Sequence, residues 1–427
     1  MKLINKYKDA SSDLFMGLFF VIISILLFIG KDKLYKDVIN IVVLIFFLLS
    51  FFQLLKYLFH SLSIRESSKT FLACVFNFCV CLIMLWVPNL SLGILPVIFS
   101  IYLFLLGTSQ FIMCFLMIGN GGGNKVRNFL WGIIYYLISI PILYSPINKI
   151  DNFLMCLSFY TFVLGFNFIF DFFNSIVSKR TKNNLKRKIR ITLPKIFESI
   201  IPYSVMVSIN KSLDTYDYRY KRDSDDMTSD LFILIHTSDR GVNRFGHMDI
   251  YFEGNVISYG CYDEGSRKCR EIFGDGVIFK TKNRAGYINF CIDNSEKTLF
   301  EFGISLSDRQ KKMIRCRMDD IFSNTYFWDY KSDKNYNNGA SYAAKLYKRT
   351  HAKFYKFKSG KYKTYFVLGT NCCYLVDDIV GHGGIDLLSL NGLITPGTYY
   401  DYLEKELYRK NGIVVQKNVY NSNRRCK

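Results

Sequence analysis

The chain has 427 residues, half of them hydrophobic and 17% aromatic, yet its formal net charge is +20. That combination excludes one uniform globular domain and calls for an apolar segment and a basic one joined end to end. Charged residues are scarce between Leu14 and Ile176, whereas Lys, Arg, Asp and Tyr dominate from Lys179 onward.

A helix that crosses a bilayer needs about 20 apolar residues. Six stretches qualify: 13–30, 38–59, 70–87, 92–118, 127–145 and 152–176. No small-residue cleavage site follows the first, and another apolar stretch comes almost at once, so it reads as a membrane helix and not a cleaved signal. The stretches also repeat. Ser50-Phe-Phe-Gln53, Gly107-Thr-Ser-Gln110 and Gly165-Phe-Asn167 follow one another at spacings of 57 and 58, and Pro88 and Pro146 are also 58 apart. Residues 1–178 are therefore expected to form an all-α polytopic membrane bundle of three repeated hairpins. Small residues at Gly107 and Gly165 let helices approach closely, and the nearby Gln or Asn can hydrogen-bond between them. Apart from Asp171 the spans hold almost no ionisable group. Transport pathways usually need such groups, so a packed anchor is favoured over a transporter with a regulatory domain.

With Pro88 and Pro146 at matching turns and Gly107 and Gly165 in the helices that follow, residues 12–176 resemble the HdeD-like family of six-helix membrane proteins, built from a short repeated hairpin with a proline at its first turn and a glycine in its second helix. The resemblance implies a fold and little about activity.

Positive charge sets the orientation. Lys2, Lys6, Lys8, Lys56, Arg65, Lys69, Lys125 and Arg127 lie on the side of the N-terminus, against Lys31, Lys33, Lys36 and Lys149 on the other. The run from Ser178 to Arg190 adds seven more to the first side, so both termini are expected in the cytoplasm of a cell-membrane protein. Residues 179–230 then form a basic juxtamembrane segment and linker. Lys179, Arg180, Lys186, Arg187 and Lys188 suit anionic lipid head groups beside the membrane better than nucleic acid. Residues 191–212 have the pattern of a helix lying along the surface, and Asp214–Asp230 that of a linker.

A soluble α+β domain, residues 231–427, follows. Leu231-Phe-Ile-Leu-Ile235 reads as a buried strand. Gly246-His-Met-Asp-Ile-Tyr-Phe252 and Val256-Ile-Ser-Tyr259 read as strands joined by a turn at Glu253-Gly-Asn255. Residues 305–323 have helical spacing with Ser305 or Ser307 as cap, and the segments 353–358 and 361–368 read as lysine-faced strands. Cys372 to Val380 reads as a helix ending at Gly381. The domain holds seven cysteines, an odd number with no CxxC pair, which suits a reducing compartment and gives no metal site. No cofactor is expected.

A cysteine in the first turn of a helix has its thiolate stabilised by the helix dipole and by unpaired backbone N–H groups. Cys372, after Thr370-Asn371, stands in that setting. The helix start at Asn371 and Cys372 could also hold an oxyanion. Among His236, His247, His351 and His382, His247 is best placed as the base, inside a strand that leads into a hairpin. Ser258 or Tyr259 on the next strand could orient its ring, and Asp249 shares its strand face. Asp377 and Asp378 read as a solvated helix face.

Gly246-His247, a hairpin and then Asn371-Cys372-x-x-Leu375-Val376 resemble the circularly permuted papain-like fold of the permuted NlpC/P60 and lecithin–retinol acyltransferase-like proteins, over roughly residues 230–410. By the match Cys372 is the nucleophile and His247 the base. Leu375 replaces the family's aromatic residue, and Tyr259 stands where a second histidine is usual. The resemblance implies a membrane-tethered cysteine hydrolase or acyltransferase acting on an amide or ester of an unknown acyl or peptide substrate. The alternative is an inactive papain-like binding module on a membrane anchor.

Overall fold

The computed structural model describes residues 2–59, 64–123, 125–176, 220–221, 228–237, 246–269, 271–295, 298–332, 341–383, 396–408, 412–422 and 425–426. The basic run at 179–188 and the surface-helix segment 191–212 lie outside these residues. Two compact units divide the chain: Met16–Phe111 with Arg127–Phe166, and Met1–Phe15 with Ile112–Val126 and Asn167–Lys427.

Among the described residues the N-terminal half holds five helices: α1 (Lys2–Phe59), α2 (Ile64–Trp86), α3 (Pro88–Asn120), α4 (Lys125–Tyr144) and α5 (Ile150–Ile176). Four stretches within them are long and apolar enough to cross a membrane: Tyr35–Leu55, Leu92–Asn120, Lys125–Tyr144 and Ile150–Phe170. Leu14–Gly30 and Phe71–Trp86 are shorter apolar stretches. The expected first hairpin is absent, because α1 runs unbroken through residues 31–37. Those residues are charged but contain no proline, and Lys and Leu are good helix formers. The later turns do have one: Pro88 starts α3, where its missing N–H costs nothing, and Pro146 lies between α4 and α5.

Within the first unit, small polar residues join neighbouring helices. Ser24 Oγ donates to Ser158 O at 2.8 Å, Ser100 Oγ to Ser139 O at 2.5 Å, and Ser50 Oγ to Cys74 O at 3.0 Å. Asn77 Nδ2 donates to Gln53 Oε1 at 3.0 Å. Ser158 Oγ in turn donates to Ser24 O at 2.8 Å, so Ser100 and Ser158, one spacing of 58 apart, each donate to a serine carbonyl on a neighbouring helix. Gly165 lets α5 touch α1, since a Cβ there would lie 2.8 Å from Gly17 O and 2.9 Å from Val21 N.

The second unit is built on a nine-stranded antiparallel sheet in the order β1-β11-β7-β2-β3-β4-β6-β9-β8. Its strands are β1 (Tyr220–Lys221), β2 (Leu231–Thr237), β3 (His247–Phe252), β4 (Asn255–Gly260), β6 (Val277–Thr281), β7 (Thr298–Ile304), β8 (Thr325–Phe327), β9 (Lys353–Phe357) and β11 (Val414–Tyr420). A separate ribbon pairs β5 (Phe273–Asp275) with β10 (Thr364–Phe366). The expected linker 214–230 thus contributes an edge strand, β1, and only 364–366 of the stretch 361–368 is extended. Glu253 and Gly254, at φ 46° and 77°, make the tight turn between β3 and β4.

Alternation along the strands separates two cores. Ile233, Met248, Ile250, Tyr259 and Ile278 pack on one face with α7 (Asp308–Ser323), α9 (Cys372–His382) and α10 (Pro396–Tyr408). Leu234, Val256, Phe279 and Tyr287 pack on the other with α6 (Arg284–Ser295) and α8 (Tyr342–Thr350). Ser307 caps α7 in a reciprocal capping box with Gln310. Asp378 of α9 is held by Arg317 at 2.6 Å, Lys361 at 3.0 Å and the Tyr362 hydroxyl at 2.6 Å, and Tyr399 donates to Asp377 at 2.5 Å. These aspartates fix the helix in place instead of forming a solvated face.

The Gly165 contact is with backbone and cannot move aside. Gly165→Ala is expected to cost about 1–3 kcal/mol and to lower the detergent-solubilised melting temperature by several degrees. Gly119→Ala, where a Cβ meets nothing within 4 Å, should leave it unchanged; equal effects would contradict the packing described.

Candidate active site

Helix α9 begins at Cys372 because Asn371 caps it. Asn371 takes extended backbone angles, its Oδ1 accepts from Tyr374 N–H at 3.0 Å and its Nδ2 donates to Val367 O at 2.9 Å. The Asn371 N–H donates to Gly369 O at 3.0 Å. Asn371 is therefore a cap and not an oxyanion donor, and only Cys372 of that expected pair contributes at the helix start. Cys372 itself is 4% exposed, and its Sγ lies 4.0 Å from that of Cys373.

His247 is the first residue of β3, entered through Gly246 at φ 83°, a left-handed conformation that favours glycine. The ring and the Cys372 thiol are close enough for each to shift the other's protonation, and the Met248 backbone lies beside the same sulfur. Ring Nε2 lies 3.0 Å from Asp249 Oδ1, 3.0 Å from Ser258 Oγ and 3.1 Å from the Tyr262 hydroxyl. Ser258 Oγ and the Tyr262 hydroxyl are themselves 2.5 Å apart. Strand parity explains the set: His247 and Asp249 share a face of β3, and Ser258 reaches them from β4.

Tyr259 has the opposite parity. Its hydroxyl donates to Tyr362 O at 3.0 Å, and its ring packs against Phe357 and Tyr362 in the α9-side core. Of the two residues proposed to orient His247, the structure brings Ser258 to the imidazole and leaves Tyr259 away from it. His351 is the left-handed C-cap of α8, and His382 ends α9 with Nδ1 2.6 Å from Asp378 O.

The acid of the site is Asp249, fully buried. His236 Nε2 donates to its Oδ2 at 2.5 Å, and the Tyr287 hydroxyl donates to the same oxygen at 2.6 Å. His236 is the direct cross-strand partner of His247 in the β2–β3 register. The ligand atoms of His236, His247 and Asp249 all lie within 4.8 Å of one another, a spacing compatible with a shared metal ion. Two donors on one tetrahedral zinc stand about 3.3 Å apart, whereas Asp249 and His236 touch at 2.5 Å. In this structure His236 and Asp249 share a hydrogen bond through Oδ2, whereas Asp249 Oδ1 meets His247 as an ion-pair contact without a hydrogen bond of its own.

Electrostatics follow from this packing. Burial opposes charge on His247, but Cys372 and Asp249 outweigh it and push the imidazole up to about 10. The hydrogen bond from the Cys373 thiol and the charge of His247 hold the Cys372 thiol well below its ordinary range against burial, while burial drives Cys373 well above. His247 and His236 hold the Asp249 carboxyl well below the usual carboxylate range although burial acts the other way. These directions favour a thiolate–imidazolium pair backed by a carboxylate. A chain of this kind can attack an electrophilic carbonyl and return a proton to the leaving group.

A thiol of ordinary pKa, about 8.5, gains nearly a hundredfold in thiolate between pH 6 and pH 8. Cys372 is expected to react with iodoacetamide at almost the same rate at both, because its folded pKa lies lower and the thiolate is lost only as pH falls through that value. Peptide-level mass spectrometry of the full chain checks this, and a steep rise toward pH 8 would contradict the ion pair.

Comparison of the chain with family models, curated proteins and solved structures returns no match.

Proposed function

We propose that this chain is a membrane-tethered cysteine hydrolase or acyltransferase with a permuted papain-like catalytic domain at the cytoplasmic face. The single observation that carries the proposal is the Cys372–His247–Asp249 chain at the start of α9. Charge distribution in the short loops and the apolar helices support the membrane placement. The recurrence of equivalent bonds at the repeat spacing, Ser100 to Ser139 and Ser158 to Ser24, supports an HdeD-like repeat whose first hairpin is drawn out into the continuous α1. The basic run near Lys179 to Lys188 would rest on anionic lipid.

In the proposed reaction the Cys372 thiolate attacks the carbonyl carbon of an ester or amide, and the carbonyl electrons move to oxygen. The positive end of α9, with the first-turn N–H groups of Cys372 and Cys373, stabilises that oxyanion. Nδ1, the ring nitrogen that Asp249 leaves unengaged, carries the thiol proton and passes it to the departing alcohol or amine as the C–O or C–N bond breaks. A thioester on Cys372 remains. His247, neutral again, takes a proton from water or from an acceptor nucleophile, which attacks the thioester carbon; the C–S bond breaks, the acid or acylated acceptor leaves, and the thiolate and protonated His247 are restored. Asp249 keeps the imidazole oriented and offsets its charge throughout.

Activated aryl esters offered to the full chain in detergent or nanodiscs test the proposal. The expected result is a burst of the phenol and an acyl mass on the Cys372 peptide. Cys372→Ala abolishes both, His247→Ala slows acylation by about 10²–10⁴-fold, and Cys373→Ala retains the adduct. An intact protein that forms no adduct, or a Cys372→Ala variant that keeps the burst, would overturn the proposal in favour of an inactive binding module.

A further inference from the structure

We infer that His236 is a fourth member of the site, a positioning residue that locks the Asp249 carboxylate in the orientation His247 requires. His236 can act this way only if Cys372 and His247 are the nucleophile and base proposed above, so the inference rests on that proposal.

The geometry is specific. Asp249 has two oxygens and two tasks: Oδ1 faces His247 at 3.0 Å, and Oδ2 accepts from His236 at 2.5 Å and from Tyr287 at 2.6 Å. A carboxylate can turn about its Cβ–Cγ bond, and two donors on one oxygen stop that turn. His236 is 1% exposed and comes from the neighbouring strand, where register sets it directly opposite His247. Its ring also meets that of His247 edge to face, with centroids 5.0 Å apart, which limits how the base can tilt. An apolar trio of this volume would be at least as stable as two histidines and a buried carboxylate. What the polar version adds is a fixed negative charge beside His247.

The consequence is a measurable link between His236 and the acidity of the nucleophile. The other ionisable groups packed around the site are Cys373 from α9, Tyr259 of β4, Tyr262 after it, Tyr287 from α6, Tyr342 from α8 and Tyr365 of β10. Burial, foremost, pushes all six well above their ordinary ranges. Asp249 is held well below its own, so the profile reports Cys372 and its partner His247. Losing the His236 donor loosens Asp249, weakens its support of the imidazolium and raises the pH at which the Cys372 thiolate appears.

The experiment is the pH profile of Cys372 alkylation in the full chain, read by peptide mass spectrometry, for wild type, His236→Gln, His236→Asn and His236→Leu. Gln carries an N–H to about the position of Nε2, whereas the shorter Asn amide stops short of Asp249. Expected are a midpoint at least one pH unit higher in His236→Leu and His236→Asn, and a midpoint near wild type in His236→Gln. Tyr287→Phe, which removes the second donor on the same oxygen, should move the midpoint in the same direction. If His236→Leu does not fold, the Gln and Asn pair decides. Wild-type profiles in His236→Asn, or equal shifts in the Gln and Asn variants, would overturn the positioning role while leaving the nucleophile assignment intact. An ordinary thiol profile in the wild type would instead overturn the catalytic proposal itself.

Discussion

The carboxylate of Asp249 is the constraint on which the rest of the site depends. A buried charge is tolerated only with partners, and here the partners are two histidines and a tyrosine. Through His247 that charge reaches the sulfur of Cys372. Without it the imidazole, mostly buried, would lose its proton, and the thiol at the start of α9 would lack its counter-charge.

Everything else holds these groups in contact. The β2–β3 register aligns the two histidines, and Gly246 lets the chain enter β3 with His247 at its first position. On the other side of the sheet, Asn371 ends the preceding loop and starts the helix so that Cys372 meets the rim of the strand. Asp377 and Asp378 anchor that helix to Tyr399, Arg317, Lys361 and Tyr362, so the nucleophile sits on a rigid element. The apolar helices of the N-terminal half make no part of the chemistry described.

Much of this was legible from residues alone, and the exceptions have physical causes. His247 and Cys372 stand beside local signals, a glycine and a hairpin for one and an Asn cap for the other. Asp249 shares the face of His247 by simple alternation, yet the orienting group was sought on the neighbouring strand, where only Ser258 has the right parity. Tyr259, one residue along, points into the opposite core. His236 could not be read, because its placement depends on the register of two strands separated by residues 238–245. In the N-terminal half the charged stretch 31–37 suggested a turn, but charge does not break a helix as proline does, and α1 continues through it.

The central claim is that Asp249 acts through His247 and not on its own. A double-mutant cycle with His247→Ala, Asp249→Asn and the double variant, reading the rate of Cys372 acylation, tests it most directly. Residues that act as one unit lose rate non-additively. The account predicts that Asp249→Asn slows the His247→Ala protein little further, although it slows the wild type substantially. Two losses that simply multiply would contradict it.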